Sequence, residues 1–359
     1  MAGELETSVV LNQELHLGND ADELRSGVGL LPRAKLMDVL VGRVPLIGAR
    51  MNPSAPRGWV SPVEARVHLG IPYGDLASEE ERCLREHFSL KQTSSLLIRA
   101  FVGWLLSSRK SLRPERRPKI VSANVDNITI QEALEAFVAP PPAGRARLVY
   151  IVHPHALNLA SFNAQLREQL TRGDLVLPDG IGIRMAASIL GISLRHNLNG
   201  TDLLPLICKA ASESNLPLCL IGAKPDVVQA CAQNLMRETP GLRIPIFHHG
   251  FLDDATSRAL ADRIRATGRC IVLIGMGTPL QESWSFKYLA EASDATVITV
   301  GGLFDFFSGR IPRAPMAWRE LGIEWLWRLK QEPRRLAKRY LFGNPLFLLL
   351  ALKQRVFTK

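Results

Sequence analysis

The residues of this 359-residue chain whose types and spacing could do chemistry gather at a few Gly-containing turns. Asp179 follows Val176-Leu177-Pro178 at the end of an apolar run, where a carboxylate could serve as a general base. Asp-Gly is equally a common turn dipeptide, so the local sequence leaves both readings open. Asp305, after Gly301-Gly302-Leu303-Phe304, poses the same choice. Gln281 and Glu282 follow Pro279 at the start of a helical segment, where a glutamate also complements the helix dipole with no further role. The turns themselves are Pro178-Asp179-Gly180-Ile181-Gly182, Gly222-Ala223-Lys224-Pro225, Gly275-Met276-Gly277-Thr278-Pro279 and Gly301-Gly302. Glycine lets backbone amides approach a phosphate, and a following helix N-terminus favours negative charge. An ordinary tight turn explains any one of them; their succession points to an anionic ligand. None matches GxGxxG or a Walker A motif, which disfavours classical NAD binding and P-loop chemistry.

His153 and His155 alternate, so on a strand they point to one face, and His248-His249 close another run. Without a clear carboxylate partner this is a weak metal signal, and no metal site is expected. The C-terminal tail is more specific. On one helix, Arg328, Glu332, Arg335 and Arg339 recur at i, i+4, i+7 and i+11 and share a face, with Lys338 beside them. Trp318, Trp325 and Trp327 precede them and the apolar run Leu346–Leu352 follows. Arginines among tryptophans and leucines suit a membrane interface, or a substrate that carries both diphosphate and lipid.

The elements that must position these residues are legible as an alternation. Short β-rich runs (Leu148–Val152, Leu175–Leu177, Leu218–Ile221, Ile244–Phe247, Ile271–Ile274, Thr296–Val300) are separated by amphipathic stretches such as Asp226–Glu238 and Thr256–Thr267. That pattern predicts an α/β fold: a Rossmann-like, mostly parallel sheet with helices on both faces. From Glu324 the pattern is helical, giving a basic C-terminal appendage. Three segments are expected: an N-terminal extension over 1–118, an α/β core over 119–315 and the appendage over 316–359. Arg109–Lys119 reads as a linker, and the extension holds helices near Glu79–His87 and Leu96–Leu106.

Composition narrows the function classes. Hydrophobic residues make up 47% of the chain, enough for a core, which excludes a disordered or fibrous protein. The net charge of +10 is uneven: residues 310–359 hold 12 basic and 3 acidic side chains, and the rest of the chain is close to neutral. A surface built to coat nucleic acid would not be charged this way, so a local anionic partner is expected instead. Cys83, Cys208, Cys219, Cys231 and Cys270 form no CxxC pair and are expected to be reduced. MAGELETSVV lacks the features of a signal peptide, and the apolar runs fall short of the about 20 residues that span a bilayer.

From about Val121 to Lys353 the sequence resembles the WecG/TagA/CpsF glycosyltransferases, glycosyltransferase family 26. The resemblance lies in Val125-Asp126-Asn127-Ile128-Thr129 with Glu132-Ala133-Leu134, Leu177-Pro178-Asp179-Gly180-Ile181-Gly182, Asn199-Gly200-Thr201-Asp202 and Ile221-Gly222-Ala223-Lys224-Pro225. It continues through His249-Gly250-Phe251, Gly275-Met276-Gly277-Thr278-Pro279-Leu280-Gln281-Glu282, Val300-Gly301-Gly302-Leu303-Phe304-Asp305, Gly309-Arg310, Arg313-Ala314-Pro315, Glu324-Trp325-Leu326-Trp327-Arg328 and Glu332-Pro333-Arg334-Arg335.

The resemblance implies transfer of a sugar, with inversion, from a UDP-sugar to a glycan on a polyprenyl diphosphate, in exopolysaccharide, capsule or cell-wall polymer synthesis. N-acetylmannosamine, glucuronate and related hexoses are the sugars it suggests. Asp179 matches the proposed base; Arg328, Arg335 and Lys338 match an appendage that closes over the site and neutralises departing UDP. His153, Asn199, Gly200, Gly222, Gly275, Gly277, Pro279, Gln281, Glu282, Asp305 and Arg310 are the implied substrate-binding positions. No cofactor is implied, and the family is regarded as metal-independent. The implied partners are the UDP-sugar, the lipid-linked acceptor and an anionic membrane surface, with a homo-oligomer left open and nucleic acid not expected. The implied location is peripheral, on the cytoplasmic face of the bacterial inner membrane.

Two departures stand out. Around His153-Pro154-His155 the family usually has Asn-Pro-Glu. In the extension, Leu31-Pro32-Arg33-Ala34-Lys35, Asp38–Arg43 and Leu46–Arg50 resemble a decayed end of a bacterial polyprenyl-phosphate sugar phosphotransferase, with Gly42-Arg43-Val44-Pro45 where that family has Gly-Asp-Met-Ser. The extension is therefore expected to dock or associate with membrane without phosphotransferase activity. A non-catalytic, membrane-bound scaffold or UDP-sugar-binding protein of the same fold is the alternative reading.

Overall fold

The computed structural model describes residues 38–49, 57–63, 76–85, 88–106, 115–291, 294–315, 318–319 and 322–357. The chain divides into two compact units. One comprises Met1–Leu112, Arg195–Asn197 and Ala314–Trp327. Its described part holds α1 (Leu76–Leu84), α2 (Leu90–Leu106) and a small core of Val60, Leu96 and Ala100. Of the phosphotransferase-like segments, Leu31–Lys35 lies outside the described residues. Asp38 opens a short helical turn, and Ile47 and Ala49 bridge to Val60 and Arg57.

The second unit, Arg113–Leu194, Leu198–Arg313 and Arg328–Lys359, carries the sheet. In chain order it runs through the hairpin β1 (Lys119–Ile120) and β2 (Ala123–Asn124), α3 (Ile130–Val138), β3 (Arg147–Val152), α4 (Pro154–Phe162), α5 (Ala164–Arg172), β4 (Leu175–Pro178) and α6 (Ile181–Leu190). There follow α7 (Gly200–Glu213), β5 (Leu218–Gly222), α8 (Pro225–Glu238), β6 (Ile246–His248), α9 (Asp254–Ala266), β7 (Cys270–Gly275), α10 (Leu280–Leu289), β8 (Ala295–Thr299) and α11 (Phe304–Phe307).

Strands β3 to β8 form one parallel sheet in the order β4-β3-β8-β7-β5-β6. The near-continuous apolar strands are explained by burial on both faces. Alternate residues Leu148, Tyr150 and Val152 pack with α4, α5, α6, α9 and α10, whereas Val149 and Ile151 pack with α3, α7 and α8. The expected Rossmann-like layering is thus present. Strand β6 begins at Ile246 rather than the expected Ile244, because Pro245 has no N–H to give to a ladder.

The motif at Val125–Thr129 turns out to be architectural. Asp126 bonds both backbone groups of Val176 on the edge strand β4: its N–H donates to the carbonyl, and its Oδ2 accepts from the amide, each at 2.7 Å. Asn127 Nδ2 donates to the Ser193 carbonyl at 2.8 Å. Thr129 and Glu132 close a reciprocal cap at the start of α3. The cysteines are free thiols, four of them buried.

Two local expectations are corrected. His153 and His155 do not alternate along a strand: β3 ends at Val152, and His153 is the N-cap of α4. Pro154 fixes the first helical φ and needs no donor there, so it starts a helix where the HxH spacing suggested a strand. Likewise, the tail arginines do not lie on one continuous helix. Helix α12 (Glu324–Gln331) stops, Glu332 takes φ −127° and ψ 57°, and Pro333 opens α13 (Pro333–Ala337). Proline disfavours helical geometry in the residue before it and removes an internal hydrogen bond. A π-helical turn, Lys338–Phe342, then leads into α14 (Gly343–Phe357).

Candidate active site

The functional groups sit beyond the carboxyl ends of the parallel strands, where α/β sheets bind ligands. Glycines bring three of those ends close together. At Gly222, with φ 145°, an added Cβ would lie 2.3 Å from the Gly275 carbonyl oxygen. At Gly275 it would lie 2.9 Å from the Gly301 carbonyl oxygen and from the Phe304 ring. Ala223 N–H donates to the Gly275 carbonyl at 3.0 Å. By contrast, Gly180, Gly277 and Gly301 have positive φ and open space where a Cβ would be. They form the open floor of the strand-end cleft. Pro279 sits at the N-cap of α10 after a cis peptide bond.

Gln281 and Glu282 lie beneath this floor, fully buried. Gln281 Oε1 accepts from the Gly301 amide at 2.9 Å and the Gly277 amide at 3.3 Å, tying the two open turns together. Its Nε2 donates to Glu282 Oε1 at 2.9 Å, which also accepts from Thr278 Oγ1 at 2.9 Å. Burial pushes the Glu282 carboxyl up, and its Oε2 has no hydrogen-bond partner. These two side chains therefore position the floor. Asn199 is similarly occupied: it caps α7, accepting from the Asp202 amide at 2.9 Å and donating to its carboxylate at 2.6 Å. Gly200 packs against Leu303. Asp305 is ion-paired with Arg310 at 3.1 Å, so these two positions are brought together.

On the other side of the cleft, Asp179 leaves the end of β4, its amide donating to the Val152 carbonyl at 2.8 Å. His153 Nδ1 accepts from the Ala156 amide at 3.1 Å, which makes Nε2 the protonated nitrogen and a hydrogen-bond donor. Its ring stacks near His155, centroids 6.1 Å apart. Burial, with Arg339 next in weight, pushes the His153 ring well below the ordinary histidine range; the same two causes lower His155. Both imidazoles are neutral at pH 7.

The tail supplies the cations. Arg328 lies over the Phe306 ring at 4.7 Å, with Nη2 3.3 Å from the position a Gly302 Cβ would take. Its Nε is buried without a partner, and Glu332 is 3.8 Å from the guanidinium. Arg335 pairs with Glu332 and is exposed, as is Lys338. A second inward cation of the tail is Arg339, which the family pattern did not pick out. Its Nε is buried without a partner, and its guanidinium interacts electrostatically with Asp179, Arg328 and Arg335. The i+11 spacing from Arg328 was the sequence signal for it. Among the described residues no group of His, Cys, Asp and Glu is arranged to hold a metal ion.

A parallel α/β sheet whose carboxyl edge carries glycine turns, carboxylates and half-buried guanidinium groups defines a doubly wound protein. More particularly, the chain belongs to the glycosyl transferase WecG/TagA/CpsF family, whose model matches residues 118–359. It is similar to an N-acetylglucosaminyldiphosphoundecaprenol N-acetyl-beta-D-mannosaminyltransferase of Bacillus spizizenii, 31% identical over 173 residues. The match covers 48% of this chain and 66% of that protein, just under two thirds of its length.

Proposed function

We propose that this chain is an inverting glycosyltransferase moving a sugar from a UDP-sugar to a sugar carried on a polyprenyl diphosphate. The observation that carries the reading is that Asp179, at the end of β4, interacts within one compact unit with Arg339, itself a neighbour of Arg328, and that both guanidinium groups hold an Nε without a hydrogen-bond partner. The name of the Bacillus relative supports N-acetylmannosamine as the transferred sugar and an N-acetylglucosaminyl diphospholipid as acceptor. Glucuronate and related hexoses are the donors to test beside it.

In this mechanism the acceptor hydroxyl attacks the anomeric carbon from the face opposite UDP. Asp179 takes the hydroxyl proton as the new C–O bond forms. The bond to UDP breaks and its electron pair stays on the β-phosphate oxygen. Arg328, beside Gly302, stabilises that charge. His153 presents its Nε2–H to a sugar oxygen. Guanidinium groups supply the positive charge here, so transfer is expected to persist in excess chelator; loss of activity restored by Mg²⁺ would contradict this.

Membrane association belongs to the same reading. Leu341, Phe342, Leu346, Leu349, Leu352 and Val356 are exposed along the end of the tail, with Lys338, Lys353 and Arg355 nearby. An apolar stripe flanked by cations suits the surface of an anionic bilayer. No helix among the described residues is long and apolar enough to cross a membrane. The location that fits is peripheral, at the cytoplasmic face of a bacterial inner membrane. Incubation of purified chain with a panel of UDP-sugars and a synthetic lipid-diphosphate acceptor tests the function. A disaccharide lipid plus UDP is expected; no product from any donor would refute it.

A further inference from the structure

The proposed reaction brings two diphosphates, one on the donor and one on the acceptor, and the two half-buried guanidinium groups are not equivalent. Arg328 lies against Gly302 and Phe306, at the glycine-turn side of the floor. The Arg339 guanidinium lies over the Tyr340 ring instead, 5.5 Å from its centroid. The carbonyl of Gly343, at the start of α14, accepts from Asn158 Nδ2 of α4 at 2.7 Å, which fixes the preceding π-helical turn against that helix. Arg339 acts on both His153 and His155 at the N-terminus of α4, whereas Arg328 acts, more weakly, on His153 alone. Immediately after it come buried Tyr340, then Leu341 and Phe342, which are 56% and 73% exposed and begin the apolar stripe that continues through Leu346 and Leu349.

We infer that Arg339 is the acceptor-diphosphate residue: it pairs with the diphosphate of the lipid-linked acceptor, while Arg328 and the glycine turns take that of UDP. The order of groups in the protein matches the order in such a substrate. Asp179 would meet the attacked hydroxyl, the sugar ring would fill the gap toward Arg339, the diphosphate would meet the guanidinium, and the polyprenyl chain would leave over Leu341 and Phe342. The orphaned, buried Arg339 Nε is a donor held for such a partner. A guanidinium forks onto two phosphate oxygens, which a lone ammonium does not do. Within the π-helical turn Arg339 is half-buried while neighbouring Lys338 is exposed.

This inference rests on the proposed transfer reaction, so its test separates the two. The full chain is assayed with soluble short-chain N-acetylglucosaminyl diphospholipid, and with the matching sugar lipid lacking phosphate. Arg339→Gln is expected to raise the acceptor KM, and the equilibrium dissociation constant of the diphospholipid, by about tenfold to a hundredfold. UDP affinity should stay within about twofold, since a loss of less than about 0.4 kcal/mol is no lost ion pair. Arg328→Gln should show the reverse pattern. Arg339→Lys should restore part of the acceptor affinity, and thermal unfolding of each variant establishes that it is folded. If Arg339→Gln weakens UDP and leaves diphospholipid binding unchanged, the assignment is overturned. Equal binding of the phosphate-free lipid by wild type overturns it as well. Absence of transfer by wild type refutes the reaction, while the binding measurements still decide Arg339.

Discussion

His153 carries a consequence that can be read as a change in stability with pH. Its folded pKa is pushed well down by burial and Arg339, so below about pH 6.5 the unfolded chain binds a proton that the native ring resists. Stability is therefore expected to fall as pH drops below that value, and His153→Asn, which cannot titrate, should flatten the decline. Parallel melting curves of the two proteins between about pH 7 and 5 check this. Glu282 works in the opposite sense. Burial raises its carboxyl, so the stability it adds is present below its unfolded value and lost as pH rises through the folded one. Glu282→Gln should match wild type in acid and exceed it in melting temperature at neutral and alkaline pH; a loss at every pH would contradict a neutral carboxyl at this position. Single residues were unevenly legible in the sequence. Asp179 stood out because it ends an apolar run, whereas Asn199, Gln281 and Glu282 matched the motifs but are occupied with capping and turn-holding bonds. No spacing rule distinguishes a glutamine facing a ligand from one bonding the turn beneath it.

At the scale of elements, the alternation of apolar strands and amphipathic helices revealed the parallel sheet and its layers. It did not reveal the junctions. Pro154 and Pro333 each changed the local geometry: one began a helix at His153, the other broke the tail helix after Glu332. Both follow from proline's missing N–H and fixed φ, effects that periodicity averages away. The strand-end turns make a further prediction. Gly222 adopts φ 145° with the Gly275 carbonyl where a Cβ would stand. Gly222→Ala should cost about 1–3 kcal/mol, measurable by urea unfolding, and weaken UDP binding because the Gly275–Gly277 turn must shift. Unchanged stability and affinity would mean these turns are not held by close contact.

For the molecule as a whole, the uneven charge in the sequence has a structural counterpart. The C-terminal segment that carries most of the excess is also the segment that supplies Arg328 and Arg339 to the cleft and an exposed apolar stripe to solvent. One segment would then serve both chemistry and attachment to the membrane that holds the acceptor. Replacing Leu352 and Val356, both exposed, by serine is expected to release the protein from anionic vesicles while leaving turnover of a soluble acceptor intact, as followed by sedimentation and product formation. Glu332, where the tail helix breaks before Pro333, also sits between Arg328 and Arg335. The central claim is that Asp179 removes the acceptor proton in transfer from a UDP-sugar. Its most direct test is the single-turnover rate of Asp179→Asn at saturating donor and diphospholipid acceptor, with UDP affinity measured on the same protein. The account predicts a rate lower by about 100-fold to 10,000-fold with UDP binding retained; a variant that transfers at the wild-type rate would contradict it.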